Sequence, residues 1–234
     1  MKLISKAMGV WRKLFTSAIV SVNTRSPKVA LTFDDGPHPV YTPAILDVLK
    51  KHDALATFFI VGKAAAENPA VLERAVSQGH ELGNHSWNHI SYTQLDPLAL
   101  VSQIKRCAKY ISSKKSKFLR PPFGHQSYLS SIIIKILGYK TICWNMHAED
   151  WVDHDQAYIV ERLHKLTKPG SIILMHDALF DNPPGNPMVN REVVIAALDE
   201  FLDKAKHEFE FVTLSELISA GKPRTLPWLR QHIS

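Results

Sequence analysis

Residues 31–37 read Leu-Thr-Phe-Asp-Asp-Gly-Pro, an apolar strand-like run that delivers two adjacent carboxylates, Asp34 and Asp35, into a Gly-Pro turn. Successive side chains at a strand end point in different directions, which suits the two acids to separate tasks, one binding a cation and the other handling a proton. Taken alone, the stretch is equally an ordinary solvated Asp-Asp-Gly turn. The surrounding chain decides between these. Strand-like runs recur at 28–33, 55–60, 80–84, 117–120, 139–144, 170–175 and 209–213. Helical patterns separate them at 41–52, 64–78, 97–112, 127–137, 155–167 and 190–207, with a short one at 214–220. This alternation predicts an α/β architecture with a parallel sheet, and seven or eight units predict closure into a barrel within a single domain.

In a (β/α) barrel the loops at the C-terminal strand ends carry the active site. The chemically capable residues fall there: Asp34 and Asp35 after the first strand, His85 and His89 after the third, Arg120 at the end of the fourth, Asp150 and Trp151 after the fifth, His176 and Asp177 after the sixth. His85 and His89 stand four apart, a metal-ligand spacing that puts two imidazoles on one side of a helical turn. With a carboxylate from the first strand they make an Asp-His-His set, and three protein ligands with open positions are what a hydrolytic metal site needs. Mixed oxygen and nitrogen ligands suit Zn²⁺, with Co²⁺, Ni²⁺, Mn²⁺ and Fe²⁺ also compatible. Arg120, in Arg-Pro-Pro-Phe-Gly at 120–124, is suited to keep a neighbouring Asp ionised. His176 is suited to donate a proton near neutral pH.

With 234 residues, 45% of them hydrophobic, the chain is long enough for one good core, and its net charge of +6 favours anionic surroundings. The basic cluster from Lys105 to Lys117 lacks interleaved aromatics and reads as a solvated face, so nucleic acid is not an expected partner. Cys107 and Cys143 form no disulfide framework. Apolar positions from Leu3 to Val22 follow helical spacing, with Lys2, Lys6, Arg12 and Lys13 opposite. The expected organisation is an amphipathic basic extension at 1–26, a catalytic barrel at 27–221 and a basic tail at 222–234. No clear small-x-small cleavage site follows the extension, so the expected location is cytoplasmic or peripheral at a membrane or cell envelope. A monomer is expected.

Five ordered motifs carry a family resemblance: Thr-Phe-Asp-Asp-Gly-Pro at 32–37, His-Ser-Trp-Asn-His at 85–89, Arg-Pro-Pro-Phe-Gly at 120–124, Glu-Asp-Trp at 149–151 and Leu-Met-His-Asp at 174–177. Over residues 28–215 the chain resembles the polysaccharide deacetylases of carbohydrate esterase family four. The resemblance implies a distorted (β/α)7 to (β/α)8 barrel and metal-dependent removal of an N-acetyl group from an N-acetylglucosamine-containing glycan, oligosaccharide or glycolipid. It implies Asp35, His85 and His89 as metal ligands, Asp34 as the base that activates water, and Arg120 as the group that tunes Asp34. It implies an oxyanion contact from the backbone N–H of Phe123, His176 as the acid partnered by Asp150, and Trp151 and Leu174 as walls of the acyl pocket. His147 stands where many relatives have Asp, and is expected at the pocket rim or in packing rather than as a fourth ligand. Alternatives on the same scaffold are an O-acetyl esterase of xylan type, a deformylase of a lipid-linked aminosugar, and a catalytically silent carbohydrate-binding protein.

Overall fold

The computed structural model describes residues 16–111, 116–181 and 190–229. In chain order the elements are β1 (Ser17–Asn23), β2 (Lys28–Asp34), α1 (Tyr41–Lys51), β3 (Ala56–Ile60), α2 (Gly62–Glu67), α3 (Pro69–Ser77), β4 (Glu81–Asn84), α4 (Pro97–Ala108) and β5 (Phe118–Leu119). A 3₁₀ turn (Pro122–Gly124) leads to α5 (Tyr128–Ile136), β6 (Lys140–Thr141), β7 (Met146–His147), α6 (Gln156–Leu166), β8 (Ile172–His176), α7 (Glu192–Ala205), β9 (Glu210–Phe211), α8 (Leu214–Ser219) and β10 (Lys222–Pro227).

Seven parallel strands, in the order β6-β5-β4-β3-β2-β8-β7, curl into an incomplete barrel in a single domain, and β9 pairs with the start of β2. This is the α/β barrel that the alternating pattern predicts. Near the centre lies β2, buried at every position after Lys28, as a strand covered on both faces must be. The pleat sorts its side chains. Val29, Leu31 and Phe33 pack outward with Ile45, Leu46 and Phe201 of the helical layer. Ala30 packs with Phe59, Ile142 and Ile172 inside the barrel. Asp34 shares the parity of Ala30, so the carboxylate faces inward at the strand's C-terminal end.

Local chemistry sets the breaks. Pro97 follows Asp96, whose carboxylate accepts from the amides of Leu98 and Ala99 and so starts α4. Pro69 splits the single helix expected at 64–78 into α2 and α3, because a proline has no amide to donate and disfavours helical backbone at Asn68 before it.

The two ends of the chain depart from expectation. Residues 17–23, expected as the end of an amphipathic helix, form β1, and 222–227, expected as a basic tail, form β10; the two pair antiparallel. Residues 1–15 lie outside the described part. The run from Ser17 to Val22 alternates as a strand as well as it follows a helical stripe, and the long-range partner decides. This ribbon covers the open seam of the barrel: Ile19 bridges Ile142, and Ser21 bridges Ser171. Just beyond it, buried Trp228 packs edge-on against Trp144 at 5.3 Å and donates its indole N–H to the Gly124 carbonyl at 2.9 Å. Gly124, at φ +67°, leaves no room for a Cβ, which would sit 2.9 Å from Trp144. The C-terminal ribbon thus pins the 120–124 loop from behind. Replacing Trp228 by Ala is expected to cost about 3–5 kcal/mol in urea unfolding; a loss below about 1 kcal/mol would show that the ribbon is not part of the cooperative fold.

Candidate active site

Strand register brings the first pair together. In the β2–β8 ladder Asp34 lies opposite His176. Arg120, fully buried, donates from Nη1 to Asp34 Oδ1 at 2.6 Å and braces its other nitrogens on the carbonyls of Ile142 and Cys143. Its guanidinium stacks over Phe59 at 4.2 Å. A planar, permanently charged fork clamped on both sides keeps the carboxylate oriented.

Asp35 turns the other way because its φ is +78°, an unfavourable value for a residue with a side chain. The turn is locked from behind. The Gly36 amide donates to Asp177 Oδ1 at 3.1 Å, and the Thr42 hydroxyl donates to the other oxygen. A Cβ on Gly36 would lie 2.0 Å from that carboxylate. Burial pushes the Asp177 pKa up to about 7.

His85 and His89 meet, but not on a helical turn. The segment is irregular, with Ser86 at φ +77° and His89 at φ +59°. Gln103 of α4 holds it, its amide oxygen accepting from the Ser86 hydroxyl and the Trp87 and Asn88 amides at 3.1 Å each. His85 Nδ1 donates to the Arg120 carbonyl at 2.8 Å, and His89 Nδ1 contacts Asp181. Both Nε2 atoms therefore turn toward Asp35 Oδ1, at 3.4 and 3.1 Å, and lie 3.2 Å apart. That oxygen is buried and accepts no hydrogen bond from the described residues.

Two imidazole nitrogens and a carboxylate oxygen, all buried within 4.8 Å of one another, fit a small divalent cation. The second ring nitrogens are tied to a carbonyl and a carboxylate, as metal-binding histidines usually are. The field agrees. Burial opposes charge on His89, but Asp35 and Asp181 outweigh it and raise its pKa. Burial would likewise raise Asp35, yet His89, His85 and His176 together hold it below the usual carboxylate range.

Across the cleft, His176 Nδ1 lies 3.0 Å from Asp150 Oδ1, and the His176 amide donates to Asp150 Oδ2 at 2.7 Å. Burial alone would lower the His176 pKa; Asp150, then Asp35 and Asp34, outweigh it and raise it. Asp150 is held by Arg191, fully buried, which donates to its backbone carbonyl at 2.7 Å and to its carboxylate. Burial would raise the Asp150 pKa; His176 and Arg191 hold it low.

Asp34, Asp35, His85, His89, Phe123, Trp151, Leu174 and His176 all border one cleft of 420 Å³. Phe123 sits at φ +57°, its ring 4.5 Å from His89. Arg120 and Asp150 stand behind Asp34 and His176. His147 does not border the cleft; its ring packs on Trp151 at 5.1 Å. Of residues 181–187, only Asp181 is described, and it borders the cleft. Sequence reasoning missed Gln103, Trp144, Asp181 as a His89 partner, and Arg191. Only Arg191 left a signal: a cation at a helix start opposes the helix dipole and implies a carboxylate partner.

The pattern of the family described as Polysaccharide deacetylase matches residues 21–142. Peptidoglycan-N-acetylglucosamine deacetylase of Bacillus cereus is 35% identical over 195 residues, 81% of this chain and 87% of that one. PgdA of Listeria monocytogenes, also named a peptidoglycan-N-acetylglucosamine deacetylase, is 32% identical over 194 residues, and the match spans 38% of its length. The crystal structure of the Bc1960 peptidoglycan N-acetylglucosamine deacetylase, bound to 4-naphthalen-1-yl-N-oxidanyl-benzamide, superposes with a TM-score of 0.77 and 29% identity, over 88% of this chain and 94% of that one. With half the chain matched by the family pattern and its motifs gathered around one cleft, the protein belongs to the polysaccharide deacetylase family.

Proposed function

We propose that the chain is a metal-dependent N-deacetylase that removes the acetyl group from an N-acetylglucosamine-containing glycan. The carrying observation is the buried Asp35 oxygen, which accepts no hydrogen bond from the described residues and faces two imidazole nitrogens, flanked by the Asp34–Arg120 and His176–Asp150 pairs. The family membership and the names of the relatives support the same reading.

Asp35, His85 and His89 would hold the cation, Zn²⁺ being the best match to one oxygen and two nitrogen donors. When bound, the ion supplies Lewis acidity for the acyl carbonyl and lowers the pKa of water. Asp34, oriented by Arg120, takes the proton from the attacking water. The Phe123 amide contributes to the oxyanion contact. The acetyl methyl rests against Leu174 and Trp151. His176 delivers a proton to the departing nitrogen. A proton donor at this position suits amide hydrolysis, because an amine leaves only when protonated whereas an alkoxide needs less help. With base, acid and ligands all present, the silent carbohydrate-binding alternative lacks a missing part to rest on.

Acetate release from chito-oligosaccharides, peptidoglycan fragments and acetylated xylan tests the reading; acetate from xylan alone would replace it with an esterase, and release from none would remove it. Asp34→Asn is expected to retain metal by elemental analysis after dialysis while acetate release falls about 10²- to 10⁴-fold. His85→Ala and His89→Ala are expected to lose metal and turnover together. Loss of metal in Asp34→Asn with turnover unchanged would reverse the roles of the two acids.

An acid at His176 is competent below its folded pKa, so the rate falls as pH rises through that raised value. Asp150→Asn removes the main group that raises it, and is expected to move the alkaline limb of the pH–rate profile toward lower pH. An unmoved limb would dismiss His176 as the proton donor.

A further inference from the structure

Beside the cleft lies a second groove of 410 Å³. Trp144 and Trp151 line both spaces, so the groove begins where the cleft's wall ends. Its far side is the terminal ribbon, where Arg224 and Leu226, two residues apart on β10, present to the same face. His147 and Asn145 complete it from the β7 side, which gives the His147 imidazole a place outside the cleft. Charge separates the two spaces. The cleft is bordered by Asp34, Asp35 and Asp181, whereas among the described residues no acid lines the groove and Arg224 is its one permanent cation. Arg224 is exposed and forms no ion pair within the described structure. Indole walls with a basic side chain match the chemistry of a pyranose ring that carries a carboxylate: the ring's C–H face lies on the aromatic surface, and a guanidinium takes both oxygens.

We propose that this groove is a subsite for the sugar adjoining the deacetylated N-acetylglucosamine, and that Arg224 selects a carboxylate on that sugar. The proposal rests on the deacetylase reading and specifies its substrate class as an acidic glycan. Two sources share the chemistry, a lactyl ether carboxylate and a uronic acid, and the probes separate them.

Binding is measured by calorimetry in an Asp34→Asn background, where consumption of the probe is slowed about 10²- to 10⁴-fold. The probes are a peptide-free tetrasaccharide of alternating N-acetylglucosamine and N-acetylmuramic acid, one of alternating N-acetylglucosamine and glucuronic acid, and neutral chitotetraose. One acidic probe is expected to bind about five-fold more tightly than chitotetraose at low salt, with the preference lost near ~0.5 M NaCl. Arg224→Gln is expected to erase that preference and leave chitotetraose affinity unchanged, Arg224→Lys to restore part of it, and Lys105→Gln, a remote charge, to leave it intact. Equal affinity for all three probes overturns the proposal, as does a preference that survives Arg224→Gln or disappears with Lys105→Gln. Acetate release by the Asp34 protein is assayed in parallel. A carboxylate preference without acetate release would sustain the subsite and defeat the deacetylase reading.

Discussion

The parallel pairing of β2 with β8 aligns Asp34 with His176, and this one register carries most of the site. A central strand covered on both faces has no freedom to slip, because a shift by one residue would carry Leu31 and Phe33 into the barrel and Asp34 out of it. The inward parity of Asp34 meets the buried Arg120 fork there. A buried ion pair gains little net stability, since desolvation of both charges consumes much of the Coulomb energy, yet either partner left alone would be costly. What the pair secures is orientation: the carboxylate is held at the mouth of the cleft by a group that cannot lose its charge.

The next turn is built by negative charge brought deliberately close. Asp34, Asp35 and Asp177 lie within a few residues of space, and the fold separates their fates. Asp34 is matched by Arg120, Asp35 by the two imidazoles, and Asp177 by the Gly36 amide and the Thr42 hydroxyl, with burial raising its pKa. The opposite wall repeats the arrangement with Arg191, Asp150 and His176. Each group proposed to react is thus backed by a buried one of opposite charge.

Legibility in the sequence followed the range of the interactions. The strands at 28–33, 55–60, 80–84 and 170–175 were readable because burial on both faces writes a continuous apolar run. The run at 139–144 was readable too, although only Lys140 and Thr141 pair within it, whereas the short β7 was not, because its partner, rather than its composition, makes it a strand. The stretch from Ser17 to Val22 misled for the same reason: β10, some two hundred residues away, supplies its hydrogen bonds. The four-residue spacing of His85 and His89 pointed to a shared ligand set for a helical reason that the structure replaces with positive φ values and the Gln103 amide. Arg191, far in sequence from Asp150, could be matched to it only by the fold.

The sequence by itself determined the alternation of strands and helices, the family, and the residue types gathered at the strand ends, since these depend on local periodicity and on short motifs. Only the tertiary structure decided which atoms face each other: that both Nε2 atoms turn to Asp35, that Arg191 stands behind Asp150, and that the two ends of the chain close the barrel seam and wall a second groove. Those facts depend on contacts between residues tens to hundreds of positions apart, whose partners a local pattern does not name.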